Sequence, residues 1–255
     1  MWLRLRQVAL VAGELVPVLD DLKAVLGIEP GFRDPGVATF GLENAVIPIG
    51  QQFLEVVAPV REGTTAGRYL ERRGGDGGYM VITQCDEHGP VKQRVHELGV
   101  RKVLEFNHAD YHCLQLHPGD TGGSFLEIDE QVGGEDMDGP WEPAGRNWRA
   151  AVRTHVVRGI AAAEVQVGDP AKVAARWSEI TAVDLTADGA GHPALVLANA
   201  TVRFVPATDG RGDGLGGIDL TVVDRAAALA AAEQRGLMAA DGSIRLCGMR
   251  VRLVD

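Results

Sequence analysis

The chain is short of basic residues, of paired cysteines and of long apolar runs, and each shortage removes a class of protein. Lys and Arg number 25 against 35 Asp and Glu, a formal net charge of −10. No basic stripe is available to neutralise phosphates, which argues against a nucleic-acid partner. The three cysteines, Cys85, Cys113 and Cys247, lie far apart and form no CxxC pair. They fit buried thiols in a reduced compartment rather than a disulfide framework or a zinc knuckle. No stretch of about 18 apolar residues occurs, so no membrane span is expected. The first run, Met1 to Ala12, carries Arg4 and Arg6 and lacks a signal peptide's apolar core, which points to the cytoplasm. No phosphate-binding GxxxxGK[ST] loop exists, and GGDGG at 74–78 reads as a connection. What is present is an ordinary globular mix, 45% hydrophobic and 24% charged over 255 residues, enough for one large domain or two small ones.

The order of elements is regular. Leu3–Ala12 reads as a strand, and Glu14–Leu26 as a helix with Leu15, Val18, Leu19 and Leu22 on one face, stopped by Gly27. Val37–Phe40, Asn44–Ile49 and Phe53–Ala58 read as three further strands, the last two joined at Gly50-Gln51-Gln52. After a short helix (Thr65–Arg72) the pattern repeats. Tyr79–Cys85 is a strand, and Asp86 is the expected N-cap of a helix running to Leu98 and closed by Gly99. Strands follow at Lys102–Phe106, Tyr111–Leu116 and Ser124–Asp129. Residues 130–149 are rich in Gly, Asp, Glu and Pro and read as a linker whose Trp141 and Trp148 dock on a core. A third unit begins at Ile160–Val167, with Asp169-Pro170 opening a helix that turns Val173, Trp177 and Ile180 inward. Strands Ala194–Leu197 and Thr201–Val205 complete it. A fourth runs from Ile218–Val223 through a helix capped by Asp224 and ended by Gly236, to strands Ser243–Cys247 and Met249–Val254. Four such units in tandem make an internal repeat.

Two carboxylates stand in matching places. Glu55 lies in QFLEVVA and Glu127 in SFLEIDE, each inside an apolar strand. A charge there needs a partner, a solvated cavity or a ligand. Alternation puts Phe53, Glu55 and Val57 on one strand face. It likewise separates Tyr111 and Gln115 from His112, which falls on the side of the helix layer. His117, before proline, is expected to shape its loop.

This strand–helix–three-strand unit used in pairs resembles the vicinal oxygen chelate superfamily, which includes glyoxalase I, extradiol dioxygenases and bleomycin-resistance proteins. The resemblance rests on LRQVALVAGEL, QQFLEVVAP, YMVITQCDE and LHPGDTGGSFLEIDE in the first half, and is nearest in motifs to methylmalonyl-CoA epimerase-type members. The second half is similar more weakly, through GIAAAEVQVGDPAKVAARW and GLGGIDLTVVDRAAALAAA. It implies an α+β fold of tandem βαβββ units paired into open, glyoxalase-like barrels. The implied organisation is a first domain over 1–131, a linker over 132–150, and a degenerate second domain over 151–255.

Metal-binding relatives place ligands on the first and last strands of each unit, positions held here by Gln7, Glu55, Met80 and Glu127. Both family histidines are missing. Hard divalent cations bind a thioether poorly, so a metal would rest on Gln7, Glu55 and Glu127 with waters, and no cofactor is the expectation. The resemblance implies a pocket around Glu55 and Glu127, lined by Gln7, Asn44, Phe53, Met80, Ile82, Tyr111, Gln115 and Phe125. Two functions stay open. One is a small-molecule-binding protein with a degenerate metal site. The other is a lyase, isomerase or epimerase in which Glu55 or Glu127 moves a proton next to a carbonyl. Monomer and homodimer are both compatible with four units in one chain.

Overall fold

A computed structural model describes all residues from Met1 to Asp255. The first strand, β1 (Leu3–Val11), is buried along its whole length and leads into helix α1 (Leu15–Leu26). The helix buries Leu15, Val18, Leu19, Leu22, Val25 and Leu26 and stops where Gly27 turns left-handed, at φ 68°. There the expected strand at 37–40 is replaced by a 3-10 helix, Pro35–Phe40. The reason is local. Asp34 accepts from the Gly36 N–H, Pro35 presets the first turn, and no residue of the segment is buried. An isolated bridge between Phe32 and Val46 is all that pairs with β2 from this side. Strands β2 (Leu42–Ile49) and β3 (Gln52–Pro59) then form an antiparallel hairpin with Ile49 opposite Gln52. The turn is therefore Gly50-Gln51, and Gln52 belongs to the strand.

Helix α2 (Thr65–Arg73) follows, then β4 (Gly77–Cys85) and α3 (His88–Glu97). Asp86 is not the cap of α3. Glu87 holds that position without a side-chain bond, while Asp86 accepts from the Trp2 backbone N–H. Strands β5 (Lys102–His108) and β6 (Tyr111–Leu116), the four-residue turn of helix α4 (Pro118–Thr121) and β7 (Phe125–Gln131) complete the first sheet. His117 caps that turn by accepting the Gly119 N–H at Nδ1, 3.0 Å. The sheet order is β2-β3-β1-β4-β7-β6-β5.

The segment between the sheets contains two short 3-10 helices, Glu142–Ala144 and Trp148–Ala151, and buries both Trp141 and Trp148. The second sheet repeats the first in outline. Its elements are β8 (Val157–Val167), α5 (Pro170–Thr181), β9 (Leu185–Ala187), β10 (Pro193–Val196), β11 (Thr201–Pro206), β12 (Gly214–Val222), α6 (Arg225–Gln234), β13 (Ile244–Leu246) and β14 (Met249–Val254). Its order is β13-β14-β12-β8-β11-β10-β9. Asp169 and Asp224 cap α5 and α6 by accepting the N–H groups of Lys172 and Ala227. Trp177 and Ile180 are buried as their spacing predicts, whereas Val173 is only half-buried.

In both sheets the closing strand runs parallel beside an opening strand, β7 beside β4, β11 beside β8 and β14 beside β12. This is the tandem glyoxalase-like α+β arrangement. By compactness the chain divides into two units. One comprises 1–7, 79–142 and 162–215, the other 8–78, 143–161 and 216–255.

Candidate functional site

In the first unit the chemistry gathers on β6 and β7. The antiparallel register sets Gln115 opposite Glu127 and His112 opposite Glu130. Alternation then places Tyr111, Cys113 and Gln115 on one face with Phe125, Glu127 and Asp129. Gln115 donates its amide to Glu127 Oε2 at 3.0 Å and also approaches the Met80 sulfur at 3.5 Å. Tyr111 donates its hydroxyl to Asp129 Oδ2 at 2.6 Å, and the Leu114 N–H reaches Asp129 Oδ1 at 3.2 Å. Ile82 pairs with Glu127 in the β4–β7 register, and Met80 with Phe125.

Glu127 and Asp129 are both buried, and burial raises the proton affinity of each. The two differ in their surroundings. Asp129 receives donors from Tyr111, Leu114 and Cys113, which favour its charged form. Glu127 gains a further upward push from the neighbouring Asp129 charge and hydrogen-bonds to it. The two carboxyls therefore titrate as a coupled pair, both held protonated to higher pH than an ordinary carboxylate and Glu127 pushed further up than Asp129. Asp129 carried no weight in the sequence reading. Its position two residues after Glu127 in SFLEIDE, on the same strand face, was the available signal.

Gln7 is engaged too. Its Oε1 accepts the Trp141 indole N–H at 2.8 Å. The Trp141 ring meets Tyr111 edge-on with centroids 5.5 Å apart, and the Arg6 guanidinium lies 5.5 Å from it. The segment between the sheets thus covers Gln7 and Tyr111 with a buried tryptophan. Trp141 as a covering group was not foreseen beyond its docking on a core.

The ligand set that the fold family implies for a metal does not suit one here. Gln7 offers its oxygen to Trp141, Met80 offers a thioether, and burial raises the proton affinity of Glu127. The neighbouring trio Cys113, Glu127 and Asp129 brings its donor atoms within 4.8 Å of one another. Burial raises the proton affinity of all three. A cation there would have to displace protons from groups that bind them strongly.

The second unit holds Asn44, Phe53 and Glu55. Asn44 donates to Glu55 Oε1 at 2.6 Å and accepts the Asp34 N–H at 2.8 Å, so both ends of its amide are in use. Phe53 is fully buried and meets Trp148 edge-on at 5.1 Å. Gln7, Met80, Ile82, Tyr111, Gln115, Phe125 and Glu127 all belong to the first unit. Of the arginines near the glycine run, Arg73 is buried, Arg72 stacks over Tyr69 at 5.2 Å, and Arg68 donates to the Gly63 carbonyl.

The second sheet carries charges of its own. In the first unit Glu164 on β8 accepts from Arg203 on β11 at 2.9 Å, with the glutamate side chain only 2% exposed. In the second unit Asp219 on β12 faces Arg252 on β14 at 3.9 Å. Ion pairs thus occupy the strands where the first sheet carries Gln7 and Glu127, and Glu164 and Asp219 were not singled out in the sequence.

The strand order and connections are those of a glyoxalase-like fold. No family model and no curated protein matches the chain. Among solved structures, a hypothetical protein from Staphylococcus aureus superposes over 100% of this chain and 99% of its own, with a TM-score of 0.67 at 12% identity. A methylmalonyl-CoA epimerase from Streptomyces coelicolor, in complex with 2-nitronate-propionyl-CoA, covers 51% of this chain and 97% of its own, at 18% identity and a TM-score of 0.45. The epimerase from Mycobacterium tuberculosis covers 50% and 87%, at 20% identity and a TM-score of 0.44.

Proposed function

We propose that the chain is a small-molecule-binding protein of the glyoxalase-like fold. Its ligand is held around Glu127 in the first unit, beside Tyr111 and Gln115. The observation that carries this reading is the buried Glu127–Asp129 dyad with Tyr111 and Gln115. Such a site offers neutral donors and acceptors beside two carboxyls of raised proton affinity. It favours an uncharged ligand with an apolar body and a carbonyl or hydroxyl oxygen, and it disfavours an anion.

Thermal shift and titration calorimetry with uncharged aromatic ketones, 2-oxo acids and acyl-CoA thioesters test this. The expected result is a rise in melting temperature with the uncharged ketones, lost in Glu127→Ala, because a ligand of the native state must stabilise it. Absence of any shift, or a shift indifferent to Glu127→Ala, overturns the reading.

A second reading is favoured by the raised proton affinity of the dyad. Carboxyls of this kind suit proton transfer at a carbon next to a carbonyl. Deuterium uptake at that carbon in heavy water, measured by NMR and abolished by Glu127→Gln, is its expected signature. Binding without exchange eliminates it and leaves the binding function.

A further inference from the structure

We propose that His88, His112 and Glu130 form a binding site for one zinc-like divalent cation where α3 begins over β6 and β7. The site is separate from the Glu127 dyad. Strand alternation turns His112 and Glu130 to the opposite face from Tyr111 and Glu127, and the β6–β7 register sets them directly opposite each other. His88, the first residue of α3, supplies the third group. The three donor atoms lie within 4.8 Å of one another.

The tautomer of His88 decides what it can offer. Its Nε2 sits 2.8 Å from the Ile128 carbonyl oxygen, which can only accept, so Nε2 carries the hydrogen. That leaves a lone pair on Nδ1. Nδ1 is buried and has no hydrogen-bond partner, in a side chain that is only 3% exposed. A buried acceptor without a donor is costly, and a cation supplies what is missing. An imidazole that donates one N–H to a backbone carbonyl while offering the other nitrogen is the arrangement that orients histidine ligands on metals. Burial also lowers the proton affinity of His88, which keeps the imidazole neutral and able to ligate.

His112 stacks on His88, with ring centroids 6.1 Å apart and planes at 12°. Its Nδ1 lies 3.3 Å from Glu130 Oε2, which also accepts the His88 backbone N–H at 3.0 Å. Side-chain exposures of 28% and 23% for His112 and Glu130 open one side of the cluster to solvent, where water completes the shell. The other nearby cation, Lys92, is occupied by Glu105 at 3.1 Å and by Asn107 at 3.3 Å. Two imidazole nitrogens and one carboxylate oxygen select Zn²⁺ and its borderline neighbours over Mg²⁺ or Ca²⁺. The alternative is that the stacked histidines are packing only.

Equilibrium dialysis of metal-stripped protein against Zn²⁺, read by elemental analysis, distinguishes the two. The expected result is one equivalent bound, weakened about tenfold or more in His112→Phe and in Glu130→Gln. His112→Phe keeps a ring against His88 while deleting the nitrogens, so its melting temperature without metal should stay near that of the parent. Glu127→Gln should retain the full equivalent, which separates this site from the proposed ligand site. No bound equivalent in the parent, or a full equivalent kept by both His112→Phe and Glu130→Gln, overturns the proposal.

Discussion

The indole N–H of Trp141 reaches Oε1 of Gln7 at 2.8 Å across 134 positions of sequence. The contact ties the segment after β7 to the first strand of the fold. Trp141 is 1% exposed, so its replacement by alanine should cost about 3–5 kcal/mol, the usual range for a buried tryptophan. Trp141→Phe should cost less, because it keeps the ring against Tyr111 and loses mainly the hydrogen bond. Denaturant melts of the two variants check the order.

The Glu127–Asp129 dyad makes a signed prediction for pH. Folding raises both proton affinities, so the native state binds more protons than the unfolded one. The resulting stabilisation is fully present below the ordinary carboxylate range. It is lost as pH rises through the folded value of Asp129, about 6, and the higher one of Glu127. Glu127→Gln should flatten this dependence and stabilise the protein at pH 8 relative to the parent. Urea melts from pH 4 to pH 8 measure it, and a parent whose stability rises through that window through this pair would contradict the assignment.

Gln52 acts as a backbone substitute in the second unit. Its Oε1 accepts the Ile160 N–H at 2.7 Å and its Nε2 donates to the Ile160 carbonyl at 3.0 Å, both buried. Gln52→Ala should cost about 1–3 kcal/mol for each buried group left unsatisfied. Gln52→Glu should do further harm, since it turns a donor toward a carbonyl into an acceptor. Melting temperatures of the two variants test the ranking.

Gly50 is required by its turn. Its φ is 59°, and a Cβ there would lie 2.2 Å from the Arg158 carbonyl oxygen. Gly50→Ala should destabilise by more than about 1 kcal/mol, against the gain expected where a glycine's conformation suits alanine. Gly63→Ala, with φ 73° but nothing within 4 Å, isolates the backbone term. A Gly50→Ala loss no greater than that of Gly63→Ala would remove the role given to the Arg158 carbonyl.

Much of the fold was legible because its signals are local. The apolar stripe of α1, the left-handed stop at Gly27 and the caps at Asp169 and Asp224 each depend on residues within a turn or two. The misreadings were local contests with close alternatives. At 37–40 a short apolar run reads as a strand, yet Asp34 and Pro35 start a 3-10 turn before any partner strand is met. At 86–87 two adjacent acids compete for one cap, and the outcome turned on Asp86 finding the Trp2 N–H, 84 residues away.

By itself the sequence determined which residues alternate onto which strand face, and so that Tyr111 and Gln115 would stand with Glu127 while His112 stood apart. Only the tertiary structure decided what those faces meet. Asp129 becomes the partner of Glu127 in a coupled buried pair, Trp141 covers Gln7, and His88 comes to rest over His112 and Glu130. The physical reason is that alternation is a property of the extended chain. Proton affinity and ligand geometry depend on burial and on the register between strands, which no single segment contains.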